Sequence, residues 1–94
     1  MYSVYMLMNS RHTTMYIGVT GDLNGRIFEH KNKLIKGLTS RYNVNKLVYF
    51  EDYEDHQSAI NREEVLKGLL RNKKIDLIKS RNPKMRDLAE FWYV

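Results

Sequence analysis

Residues 2–8, YSVYMLM, alternate so that Tyr2, Val4, Met6 and Met8 point one way and Ser3, Tyr5 and Leu7 the other. Both sets are largely apolar, which predicts a strand covered on two faces. The polar run Asn9–Thr13 is short enough to turn the chain into a second strand over residues 14–19, an antiparallel hairpin. In that strand Tyr16 and Gly18 share a face, opposite Met15, Ile17 and Val19. Gly18 leaves the surface beside Tyr16 bare, as a close-approaching ligand or backbone requires. The period changes after Thr20-Gly21. Asp22 reads as an N-cap and a helix is predicted over about 22–35, ended by Gly37. On its wheel Leu23, Ile27 and Leu34 share an arc that also contains His30, with Arg26 at its edge. Residues 39–45 read as a polar connection and residues 46–53, KLVYFEDY, as the third and most apolar strand. Asp55 caps a helix over about 56–70, in which Glu63 falls inside the Ala59–Ile60–Leu66 arc, near His56 and Lys67. A basic amphipathic helix follows to Ser80 and is broken by Asn82-Pro83. A last short helix is anchored by Leu88, Phe91 and Trp92.

The pattern predicts one small α/β domain of the α+β kind over residues 1–94: a three-stranded, mainly antiparallel sheet flanked by helices. An apolar fraction of 43% is enough for a packed core. The absence of cysteine excludes disulfides, a thiolate nucleophile and a cysteine zinc site. The opening residues lack the charged start and cleavage site of a signal peptide. No apolar run approaches the roughly 20 residues that span a bilayer. The expectation is a soluble cytoplasmic protein without a membrane partner.

Charge narrows the partner. The net charge is +5, and residues 1–50 carry all of it, 7 basic against 2 acidic side chains. Lys31, Lys33, Lys36, Arg41 and Lys46 follow one another with no acid between them. Such a block suits a polyanion, most simply a nucleic-acid backbone, or else a solvated basic face.

Candidate chemistry lies in a few positions. A carboxylate in a core-facing stripe, as at Glu63, is costly unless it is paired or holds a metal. Glu63 and Lys67 also have the spacing of an ordinary i,i+4 pair, and Arg26 and His30 that of one helix face. Glu64 and His56 read as surface residues. Taken together, Val4-Tyr5, then Tyr16-Ile17-Gly18, Arg26 ten positions after Tyr16, His30 and a distal Glu63 resemble the GIY-YIG nucleases, in particular their small stand-alone bacterial members. The strand KLVYFEDYED and the tail segment RNPKMRDL extend the resemblance across the chain, although the first motif lacks its glycine.

The resemblance implies a metal-dependent endonuclease that hydrolyses phosphodiester bonds in DNA, in repair or recombination. Tyr5, Tyr16, Arg26, His30 and Glu63 would be catalytic, and Glu63 would also hold one divalent ion, Mg²⁺ or Mn²⁺. Arg26 would contact the scissile phosphate. Tyr16 or Tyr5 would handle the proton of the attacking water, with a phenol pKa lowered by nearby positive charge, and His30 would orient or relay that proton. Lys31, Lys33, Lys36, Arg41 and Lys67 would bind nucleic acid. Two other classes fit the same residues: a non-catalytic nucleic-acid-binding module using the basic run and Tyr42, and a protein-binding module using the apolar tail FWYV. The protein is expected to be a monomer or weak homodimer.

Overall fold

The computed structural model describes residues 1–93, so Val94 of the apolar tail lies outside the described residues. Strand β1 (Tyr2–Met8) is central, with β2 (Met15–Thr20) and β3 (Lys46–Tyr53) antiparallel on either side, in the order β2-β1-β3. Central placement explains why both faces of β1 read as apolar: Ser3 through Met8 are all buried. The hairpin is set by Asn9, whose Oδ1 accepts from the backbone of Thr13 (2.9 Å) and Thr14 (3.0 Å), while His12 takes a left-handed φ of 57°. The β1–β3 register shifts between Met6 and Leu7. Leu47 and Phe50 join one face of the sheet, and Val48 and Tyr49 the other.

Each face has its own core. Val4, Met6, Met8, Ile17, Val48 and Tyr49 pack under Ala59 and Leu66 of α3 (His56–Gly68) and Ile78 of α4 (Arg71–Arg81). Tyr5, Leu7 and Leu47 pack under Ile27 of α1 (Leu23–Lys31), together with Val44 and Ala89. Both predicted caps form: Asp22 accepts from Gly25 N at 3.0 Å and Asp55 from Ser58 N at 2.8 Å.

The expected helix over 22–35 is shorter. It stops at Lys31 because Leu34 N bonds to Glu29 O (2.9 Å) and Lys33 N to His30 O (3.1 Å), with Lys33 at a φ of 56°. This is a Schellman turn with lysine in the left-handed position that glycine usually takes. Leu34, read as a core position, is consequently 64% exposed. Gly37, at a φ of 128°, does not end a helix but introduces a one-turn helix, α2 (Leu38–Arg41), where a polar connection was expected.

The predicted C-terminal helix is also replaced, by turns over residues 88–93. Asp87 Oδ1 accepts from Leu47 N (3.2 Å) and Ala89 N (3.0 Å), and Leu88 N bonds to Leu47 O (2.8 Å), so the tail backbone is tied to the start of β3. Ala89 is the buried anchor, while Leu88 and Phe91 face solvent. No helix among the described residues is long and apolar enough to cross a membrane.

Candidate active site

The register places Tyr5 opposite Gly18 and Leu7 opposite Tyr16, so the two tyrosines lie on one face of the sheet, their ring centroids 6.1 Å apart. Gly18 is bare for a steric reason. A β-carbon there would lie 2.7 Å from Cζ and Oη of Tyr5 and 3.0 Å from Cε2 of Tyr16. The group that approaches this glycine closely is the Tyr5 ring itself.

His30, carried by the last turn of α1, closes over the pair at centroid distances of 5.8 Å from Tyr5 and 5.5 Å from Tyr16. It is 2% exposed. Its Nε2 is 3.1 Å from Tyr5 Oη and its Nδ1 is 3.1 Å from Oγ1 of Thr39, itself buried. One neutral imidazole can serve both contacts, donating from one nitrogen and accepting at the other. Burial, and then the Arg26 guanidinium, lower the His30 pKa below its ordinary value, so the ring is neutral at pH 7. Burial also pushes the Tyr5 phenol well above its usual value, with a further push from Tyr16 and only a partial counter-pull from Arg26. The expected lowering therefore does not occur at Tyr5. Its hydroxyl stays protonated and acts as a hydrogen-bonding link to His30.

Arg26 sits one turn before His30 with its side chain 42% exposed, 3.7 Å from Glu29 in a weak i,i+3 pair. Its fork of donors remains open to solvent and its charge acts on both Tyr5 and His30. Glu63 lies between Ala59 and Leu66 on α3, whose packing is on the sheet face opposite the tyrosine rings. It is 19% exposed, bonded to the more exposed Lys67 at 3.4 Å, and its charge is among those acting on Tyr5. The structure thus brings Tyr5, Tyr16 and His30 together directly, with Arg26 one helical turn away and acting on Tyr5 and His30 through its charge. Glu63 is not brought into contact with them: it projects from α3, paired with Lys67, and reaches Tyr5 only through its charge.

The basic residues divide. Lys33, Lys36 and Arg41 are exposed. Lys31 is not a free cation: its Nζ bonds to Asp87 Oδ2 and to Asn45 O (3.1 Å), clamping the tail to α1. Thr39 and Asp87 are the two site-shaping residues that sequence spacing does not single out. Nothing in the nine-residue gap from His30 marks Thr39 as its partner.

A tyrosine–tyrosine–histidine cluster beside an arginine, fed by a Tyr-Ile-Gly strand and the helix after it, is the arrangement the sequence resemblance leads one to expect. Residues 1–76 match the GIY-YIG catalytic domain. The chain belongs to the GIY-YIG family. Among its relatives, a UPF0213 protein of Clostridium perfringens is 38% identical over 81 residues, covering 86% of each chain. A UPF0213 protein of Staphylococcus aureus is 35% identical over 68 residues, covering 72% of this chain and 83% of its own. The solution NMR structure of a UPF0213 protein from Bacillus halodurans shares the fold, with a TM-score of 0.59 at 23% identity over 96% of this chain and 95% of that one.

The donor set can be tested against the divalent ion that a GIY-YIG site implies. Among the described residues, no group of three or more His, Cys, Asp and Glu side chains could enclose a metal. The donors to weigh are the partly buried Glu63 carboxylate, paired with Lys67, and the phenol oxygens, since His30 is already held by Tyr5 and Thr39. Few hard oxygen ligands suit Mg²⁺, which keeps several waters and takes only one or two protein carboxylates. The residues present fit such an ion.

Proposed function

We propose that this GIY-YIG protein is an endonuclease that hydrolyses phosphodiester bonds in DNA with a divalent metal ion, Mg²⁺ or Mn²⁺, and serves in repair or recombination. The single observation that carries the reading is the Tyr5–His30–Thr39 hydrogen-bond chain, buried beside Tyr16 and the open guanidinium of Arg26. A purely structural histidine on this helix face would not need two tyrosines and a cation around it.

In this reading each residue has one role. Arg26 binds the scissile phosphate through its donor fork and stabilises the charge that builds on it. Tyr16, only partly buried, orients the attacking water. The Tyr5 hydroxyl takes the water's proton as it passes its own to Nε2 of His30, and the Nδ1–H of that ring points to Thr39 Oγ1. Neutral by burial, the imidazole has a nitrogen free for that proton at pH 7. Glu63 is the residue that would hold the divalent ion, whose chemistry is to neutralise phosphoryl charge and ease departure of the leaving oxygen. Lys33, Lys36, Arg41 and Lys67 bind flanking phosphates.

Cleavage assays on a panel of labelled DNA and RNA structures, with Mg²⁺, Mn²⁺ or EDTA, test the reading. Glu63→Gln is expected to abolish metal-dependent cleavage while folding normally, whereas Glu64→Gln, on the exposed side of α3, stays active. Removing Arg26 is expected to cost about 10²–10³ in rate, the scale of one lost charge-stabilising donor. Glu63→Gln cleaving like wild type, or Glu64→Gln being the dead variant, refutes the assignment. A second reading, a non-catalytic nucleic-acid-binding module, draws on the exposed Lys33, Lys36, Arg41 and half-exposed Tyr42. It wins if wild type, Glu63→Gln and Glu64→Gln all bind DNA and none cleaves.

A further inference from the structure

On the same sheet face as Tyr5, the register pairs Tyr5 with Phe50 and Ser3 with Asp52. Between these residues, the first turn of α1 and the tail lies a cleft of about 400 Å³ lined by Ser3, Leu23, Asn24, Phe50, Asp52 and Trp92. That volume is in the range of small-molecule sites, about 300–1,000 Å³. We propose that this cleft is a slot for one unstacked nucleobase carrying an exocyclic amino group, on a nucleotide beside the scissile phosphate. The proposal rests on the reading of the protein as acting on nucleic acid.

The walls are aromatic and apolar. Phe50 and Trp92 meet edge to face, centroids 6.3 Å apart at 74°, and Trp92 is only partly buried. An incoming base can stack on the indole face, a contact available to every base. The polar end discriminates. The Ser3 hydroxyl donates to Asp52 Oδ1 at 2.5 Å and fixes the carboxylate, while Oδ2 accepts from no side chain among the described residues. A carboxylate oxygen held in that position accepts from an amino group such as cytosine N4 and offers nothing to a carbonyl. The lining contains this one anion and no cation, so it repels a phosphate and suits the base edge. The phosphates are left to Arg26 and the exposed lysines outside. Asn24 can both donate and accept, and so can complete the pairing with a neighbouring ring nitrogen or carbonyl.

Trp92 is the only tryptophan in the chain, so its emission reports occupancy of the cleft directly. The full chain in EDTA, where cleavage cannot intervene, is titrated with end-labelled single-stranded oligonucleotides of dC, of dT and of abasic sites. Label anisotropy reads total binding and Trp92 emission reads the slot. The dC oligomer is expected to quench Trp92 and to bind about tenfold more tightly than dT. The abasic oligomer is expected to bind through its phosphates without quenching. Asp52→Asn, which keeps an oxygen for Ser3 and adds an amide donor, should lose the dC preference while retaining the quench. Binding seen in anisotropy with Trp92 emission unmoved overturns the slot and leaves the endonuclease reading standing. So does an Asp52→Asn protein that still prefers dC. Binding in neither readout rejects the nucleic-acid reading and the slot together, whereas quenching by a protein that cleaves nothing keeps the slot and rejects only catalysis.

Discussion

Gly18→Ala isolates the steric demand that organises the site. The added methyl would stand 2.7 Å from Tyr5 Cζ and Oη and 3.0 Å from Tyr16 Cε2, well inside contact distance. Tyr5 is 2% exposed and wedged between its strand neighbours and α1, so its ring cannot swing into solvent. Overpacking of this kind costs about 1–3 kcal/mol. Displacing the hydroxyl from His30 Nε2 loses a buried hydrogen bond worth about 1 kcal/mol more. Alanine restricts the unfolded chain better than glycine, which returns about 0.5–1 kcal/mol. The net expectation is destabilisation by about 2 kcal/mol, read as a fall in Tm of about 10 °C for a domain of this size. Urea or thermal unfolding by circular dichroism measures it, and any cleavage activity should fall with it because the Tyr5–His30 link is broken. Gly68→Ala is the control: a β-carbon there meets nothing within 4 Å, so its Tm should hold or rise slightly. A Gly18→Ala protein as stable as wild type would falsify the steric account.

Two further outcomes can be measured. Because Lys31 is held by Asp87 and Asn45, Lys31→Gln should lower Tm yet leave the salt dependence of DNA binding unchanged, whereas Lys33→Gln with Lys36→Gln should flatten the log–log slope by up to about two units on duplex DNA. Anisotropy titrations at several salt concentrations decide this, and a slope unmoved by the double change means those lysines are merely solvated. The Glu51 carboxyl, although burial opposes its ionisation, is held down to about 2 by hydrogen bonds from Arg62 (2.8 and 3.0 Å), Tyr49 and Tyr53 (2.7 Å). A depressed folded pKa contributes stability that is complete above the unfolded value near 4.5 and is lost as pH falls through the window down to about 2. Urea midpoints should therefore drop between pH 5 and pH 3 more for wild type than for Glu51→Gln, and parallel curves would rule out Glu51 as the group responsible.

Local chemistry settles a good deal of this fold without tertiary contacts. Alternation in YSVYMLM, where the pleat sends neighbouring side chains to opposite faces, and the apolar run of KLVYFEDY place two strands to the residue. Asp22 and Asp55 marked helix starts through bonds that reach only three residues along the chain. The order of Tyr5, Tyr16, Arg26, His30 and Glu63 carried the family. What lay beyond reach was everything decided by partners distant in sequence or by burial. Lys31 looked like one more free cation in a basic run until Asp87, 56 residues later, arrived to pair with it. Residues 88–93 form turns rather than the expected helix, and Asp87 and Leu88 are tied to Leu47, some 40 residues earlier in the chain. Lysine in the left-handed position at 33 ended α1 where no glycine announced it. Only the packed sheet shows that α3 lies on the face opposite the tyrosine rings, a placement of Glu63 that its helical spacing could not give. And only burial determines the charge states, since Tyr5 held in a dry pocket keeps its proton even with Arg26 close by, and His30 beside it gives its proton up.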